Sequence, residues 1–152
     1  MFDVSGLSPE LQSGIAALAT EMAADGYQRA DPAREIPAML GDRWTCLILL
    51  VLDTGRWRHA DLRRVLGRLA AEGEISQRVM TLKLRALERD GMVRRQASDE
   101  VPPKVSYELT ALGSSLKDQA RQLITWVRTH RAQIDAARHA YSLQHPTDTD
   151  KD

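Results

Sequence analysis

Apolar residues recur along most of this chain at steps of three and four, the spacing of one helix face. Residues 8–25 place Leu11, Ile15, Leu18 and Met22 on one such stripe, with alanines on the flanks and Gly26 at the end. This predicts an amphipathic helix, packed either on its own domain or on a partner helix at a dimer seam. Asp31-Pro32 has the form of a cap followed by proline in the first turn. Pro37 disfavours a continuous helix through Ile36, so the second element is expected to be short or kinked. Asp42 is a cap for a helix from Arg43 to about Asp53, stopping near Gly55. Its run 47–52 is apolar enough for a buried strand, but the leucines, the cap and the length favour a buried helix. Residues 58–66 predict a further helix, with Leu62, Val65 and Leu66 inward and Arg63 and Arg64 outward. Residues 67–74 form the expected connection.

The stretch 75–107 organises the rest. Met80, Leu84 and Leu87 share one face of a helix at 76–90, while Gln77, Arg78, Thr81 and Arg85 fall on or near the other, which is read as free of apolar residues. Ser76 suits the N-cap, and Ile75 with Met80 a hydrophobic staple. Gly91 suits a left-handed stop, with Met92 folding back on Leu87. Two short alternating segments around a polar turn with two prolines then predict a β-hairpin over 93–107, charged by Arg94, Arg95 and Lys104. Helix, connection and helix make a helix-turn-helix, and the hairpin adds a wing. Thr110 caps a long last helix along which Leu112, Leu116, Ala120, Leu123, Val127, Ile134 and Tyr141 track one side. Roughly thirty residues make a rod of ~45 Å, longer than a small domain covers, so part of the stripe is expected to meet a second subunit. Residues 144–152 are polar, contain Pro146 and read as a disordered tail.

Charge sharpens this picture. The whole chain of 152 residues is formally neutral, yet residues 56–104 carry net +5 and residues 1–55 carry −5. A basic centre beside an acidic N-terminal part suits docking of an anion by one face, although ordinary helix-surface charge has the same look. The single cysteine, Cys46, excludes an intramolecular disulfide framework. Its apolar surroundings are too short for a bilayer span, which needs about 20 residues, and the N-terminus has no basic start. A cytoplasmic protein without membrane association is expected.

Taken together, these residues resemble a known family. Leu40-Gly41, Arg43-Trp44-Thr45, Asp61-Leu62, Ile75-Ser76, Arg78, Thr81, Leu84, Leu87-Glu88, Asp90-Gly91, Val93, Arg95, Pro102-Pro103, Val105, Tyr107, Leu109-Thr110, Gly113 and Trp126 stand in the order of HxlR-type winged helix-turn-helix regulators, relatives of the MarR group. About two thirds of the chain is covered. The resemblance implies a homodimer, joined by terminal helices, whose two recognition helices read half-sites on double-stranded DNA. Many members carry Cys-Pro where this chain has Asp31-Pro32. A carboxylate cannot do thiolate redox chemistry, so sensing at that position is lost. His59 stands where the family has phenylalanine, with Trp57 nearby; the 67–74 connection is longer; and the N-terminal helix is an addition.

The expected fold is mainly α with a small β-hairpin wing. Residues 1–30 form an N-terminal extension, 31–110 the DNA-binding domain, 111–143 a dimerisation helix and 144–152 the tail. The DNA-binding candidates are Ser76, Gln77, Arg78, Thr81, Arg85, Arg94, Arg95 and Lys104. Arginine pairs with guanine O6 and N7 and glutamine with adenine N6 and N7, whereas the wing cations suit the backbone or minor groove. Ser76, at a helix start, suits a phosphate. Met22, Met39, Trp44 and Trp126 are candidates for a small-molecule effector pocket, or simply core. Cys46 reads as packing rather than sensor. His130 reads as a seam or core residue or a pH-sensitive dimer contact. Histidines and the cysteine do not cluster as metal ligands, so no metal or cofactor is expected. Phosphate-loop, nucleophile-elbow and zinc-protease motifs are missing, which argues against an enzyme. The alternative to a DNA-binding regulator is a winged helix used for protein or ligand binding.

Overall fold

The structure, a computed structural model, describes residues 5–26 and 28–146. The tail expected at 144–152 falls largely outside them. The chain divides into two compact units, Met1–Cys46 and Leu47–Asp152.

In the first unit, α1 spans Pro9–Asp25, and the hydroxyl of Ser8 accepts from the Leu11 N–H at its start. The predicted stripe exists as a stripe, but Leu11, Ile15, Leu18 and Met22 are all exposed. Helix α2 spans Pro32–Leu40 and is short, as expected. It nevertheless runs through Pro37 instead of stopping before it. Proline removes one N–H but keeps its carbonyl, and that carbonyl accepts from Gly41 N–H at 3.1 Å. Helix α3, Arg43–Leu52, begins in this unit and continues into the second. Asp42 Oδ2 accepts from both the Thr45 N–H (2.9 Å) and the Thr45 hydroxyl (2.8 Å), the cap foreseen from its position.

The second unit holds a winged helix. After α3 come β1 (Trp57–Arg58), α4 (His59–Leu69), α5 (Gln77–Arg89), β2 (Val93–Ala97), β3 (Val105–Leu109) and α6 (Ala111–Gln144). The three strands form an antiparallel sheet in the order β1-β3-β2. Ile48, Leu49, Leu62, Leu66, Ile75, Met80, Leu84 and Leu87 are each no more than 1% exposed and form the core. The run 47–52 is therefore helix, not strand, and its leucines make part of this interior. Tyr107, from β3, is also buried.

Helix α6 has 34 residues, a rod of about 51 Å. Thr110 caps it, its hydroxyl accepting from Gly113 N–H at 3.0 Å. Leu116 and Ala120 are buried, but Leu123, Ile124, Trp126, Val127 and Tyr141 are exposed. Only the first three turns of the helix belong to the core of the single chain. Among the described residues, no helix is long and apolar enough to cross a membrane.

Candidate nucleic-acid interface

Helix α5 is fastened at both ends by its own sequence. Ser76 has extended backbone and its Oγ accepts from the Val79 N–H at 3.1 Å. At the far end Gly91 has φ +75°, which glycine adopts without steric cost. Gly91 N–H donates to the Glu88 carbonyl (3.0 Å) and Met92 N–H to the Leu87 carbonyl (2.8 Å). That pair of bonds is the Schellman closure. Between these ends Met80, Leu84 and Leu87 turn inward, while Gln77, Arg78 and Arg85 are exposed and Thr81 is half-buried. One expectation fails here: the outer face is not free of apolar groups. Leu82 is 54% exposed and Val79 36%. Both lie off the buried stripe, and a reading confined to that stripe passes over them.

The turn between α4 and α5 is tighter than expected. Helix α4 continues three residues beyond the predicted Leu66, to Leu69, and the returning chain passes close to Gly67. A Cβ on Gly67 would lie 3.4 Å from the Glu74 Cα. Arg63, expected outward, instead donates from Nε to the Ile75 carbonyl at 3.0 Å. It thereby ties the middle of α4 to the residue preceding the Ser76 cap, which holds the two helices of the motif in register. Arg64 does face outward, paired with Asp61 at 2.7 Å.

The wing separates its cations onto two faces, since side chains alternate along a strand. Arg94 stands opposite Glu108 and pairs with it at 3.3 Å, and Arg56 reaches the same carboxylate at 3.0 Å. Lys104 pairs with Glu100 at 3.2 Å. Arg95, opposite Tyr107, faces the other way. There it lines a groove of about 730 Å³ together with Gln77, Thr81 and Arg85 from α5, and Lys104 from the wing. Five of the eight DNA-binding candidates thus meet along one groove. Ser76, the N-cap of α5, and Arg78 on α5 do not line it, and Arg94 is engaged on the opposite face of the wing.

Among the groove's other lining residues, beside the acidic Glu88, are Arg58 and His59, which were not foreseen there. They arrive through β1, which pairs Trp57 with Tyr107 and Arg58 with Ser106. A two-residue strand leaves no periodic trace in a sequence; the basic Arg56-Trp57-Arg58-His59 run was the available signal. Burial holds the His59 imidazole below its ordinary pKa, and the nearby Arg63 and Arg95 charges act in the same direction. Its ring centroid lies 6.1 Å from that of Tyr107.

The remaining candidates lie elsewhere. Met22 and Trp126 are exposed, and Met39 and Trp44 half-buried. His130 Nδ1 lies 2.7 Å from the Trp126 carbonyl, and its ring stacks on the Trp126 ring at 4.5 Å. Cys46 donates from Sγ to the Leu40 carbonyl at 2.9 Å. Burial raises its pKa above the ordinary thiol value, and the Asp42 carboxylate adds to this.

Comparison with known proteins agrees with this geometry. A family model described as HxlR-like helix-turn-helix matches residues 39–135. The HTH-type transcriptional regulator YtfH of Escherichia coli is 36% identical over 107 residues, covering 70% of this chain and 80% of that protein. The solved structure of the transcriptional regulator YtfH from Salmonella typhimurium superposes with a TM-score of 0.60 at 34% identity, covering 72% of this chain and 93% of that one. Diamide-treated YodB of Bacillus subtilis superposes with a TM-score of 0.53 at 30% identity, covering 67% and 96%.

Proposed function

This chain belongs to the HxlR-like helix-turn-helix family of transcriptional regulators, and we propose that it acts as a homodimer reading a specific double-stranded operator. Helix α5 enters the major groove and presents Gln77, Arg78, Thr81 and Arg85, while Arg95 and Lys104 of the wing meet the flanking backbone or minor groove. One observation carries this reading. Helix α5 buries one face completely and leaves its arginines exposed beside a groove that the wing lines with further cations.

The second copy is supported by α6, which beyond Ala120 leaves Leu123, Ile124, Trp126 and Val127, and further on Tyr141, exposed. Two-fold pairing through such helices sets two copies of α5 against two half-sites of one duplex. Small aromatic molecules are the proposed class of effector. A melting-temperature screen, with release of DNA as a second readout, tests that part separately.

The main test is a titration with duplexes from the gene's own promoter region against a random-sequence competitor. Saturable binding at one dimer per site, poorly competed by random DNA, is expected. Equal affinity for every duplex would leave the winged helix as a non-specific or protein-binding module.

A further inference from the structure

A lone exposed leucine is ordinary on a protein surface. What sets Leu82 apart is its place. On a helix of 100° per residue it lies directly opposite the stripe of Met80, Leu84 and Leu87, at the middle of the outer face of α5. Arg78 precedes it by four residues and Arg85 follows it by three, so one exposed arginine stands a turn to either side. The helix is strongly polar away from its buried stripe, and Leu82 is 54% exposed in the folded chain. It contributes nothing to the core that Met80, Leu84 and Leu87 fill.

We infer that Leu82 is a specificity-determining residue that packs on the C5-methyl group of a thymine in each operator half-site. The inference rests on the DNA-binding reading above and names one base within it. Only thymine among the bases offers a methyl in the major groove, and an apolar side chain is what recognises it. The flanking arginines are long enough to reach phosphates or guanine edges while the shorter leucine rests on the floor of the groove between them. A leucine held there would also penalise cytosine, whose amino group at the adjacent ring position would be left facing hydrocarbon instead of water.

Val79, the other exposed apolar residue of this helix, does not share the placement. It lies about 60° from Leu82 around the axis, toward the buried stripe, and its backbone N–H is held by the Ser76 cap.

The experiment first selects the half-site from a random duplex pool. Each thymine of that site, symmetrically in both halves, is then replaced by deoxyuridine, which deletes the methyl and nothing else. Wild type, Leu82→Ala and Leu82→Met are titrated against the series, with melting temperatures confirming that all three fold alike. At one thymine position, deoxyuridine is expected to weaken wild type about three- to five-fold per half-site, the worth of one buried methyl. Leu82→Ala should bind thymine and deoxyuridine there equally, and Leu82→Met should restore the difference. Wild-type indifference to deoxyuridine at every position, or an undiminished thymine preference in Leu82→Ala, overturns the assignment while leaving DNA binding intact. Failure to select any duplex removes the operator reading itself, and this inference with it.

Discussion

Gly113, at the start of α6, lies so close against the Met92 carbonyl that a Cβ there would overlap its oxygen. The same carbonyl accepts from Thr110 N–H at 3.0 Å, and Thr110 Oγ1 donates to the Gly91 carbonyl at 2.6 Å. The residues that close α5 and those that open α6 are thus clamped together through their main chains and the Thr110 hydroxyl.

Gly113→Ala is therefore expected to destabilise, although alanine is the better helix former by about 1 kcal/mol. The obstacle is a main-chain carbonyl that is itself hydrogen-bonded and cannot swing aside. Overpacking of this kind costs about 1–3 kcal/mol, here set against that propensity gain. Chemical denaturation should show a lower midpoint with an unchanged slope; a midpoint at or above wild type would mean that the clamp yields.

Arg78 offers the cleanest check of base readout, because it is exposed on α5 and outside the wing groove. Arg78→Ala should weaken operator binding by about 1–3 kcal/mol and relax the preference at one base position. Unchanged affinity and sequence preference in a titration would take it off the reading face.

The two wing arginines should behave differently. Arg95 lines the groove beside α5, whereas Arg94 is held by Glu108 on the other face. Arg95→Ala is expected to weaken binding to all duplexes alike and to lower the salt slope, log K against log salt, by about 0.9. Arg94→Ala should change that slope less. Equal slopes for both variants would show that the ion pair opens on DNA.

That distinction marks where sequence legibility ended. The ends and inward face of α5 were readable because each depends on neighbours within five residues: Ser76 with Val79, Leu87 with Met92, Met80 with Leu84. Tertiary pairings leave no such local mark. Glu108 draws Arg56 from 52 positions away, and Arg63 spans 12 residues to Ile75. The wing's charges were visible, but their division between two faces depended on strand register. Leu82 was missed for a different reason, since a periodic pattern identifies what is buried and is silent about an apolar residue placed outward.

Cys46 should be a poor sensor despite the likeness to diamide-treated YodB. Burial and Asp42 raise its pKa and the thiol donates to the Leu40 carbonyl, all of which favour the unreactive protonated form. Alkylation at neutral pH is expected to be much slower than for a free thiol, and diamide should leave operator affinity unaltered. Rapid modification of the folded protein, or loss of DNA binding on oxidation, would reverse this reading.

The anchor of α6 supplies a dependence on pH. Asp53 pairs with Lys117 at 3.1 Å and Arg121 at 3.0 Å, and Lys117, only 9% exposed, also reaches Asp118 at 2.7 Å. Hydrogen bonds from Arg121 and then Lys117 hold the Asp53 carboxyl below the usual carboxylate range. Its stabilisation is complete above the unfolded value of about 3.9 and is lost as pH falls through the lowered folded value. Lys117 is raised, by Asp118 first and Asp53 next, so its share is complete below about pH 10.4 and is lost only as pH climbs through its raised folded value. Between those limits the cluster adds no slope. Asp53→Asn should lower the melting temperature at pH 7, because nearly buried Lys117 loses one of its two carboxylates. The gap from wild type should narrow as pH drops below about 4, where Asp53 of the unfolded chain takes up its proton before the folded carboxyl does. Coincident melting curves at pH 7, or a gap that persists unchanged into strong acid, would show that this cluster does not hold α6 to the end of α3.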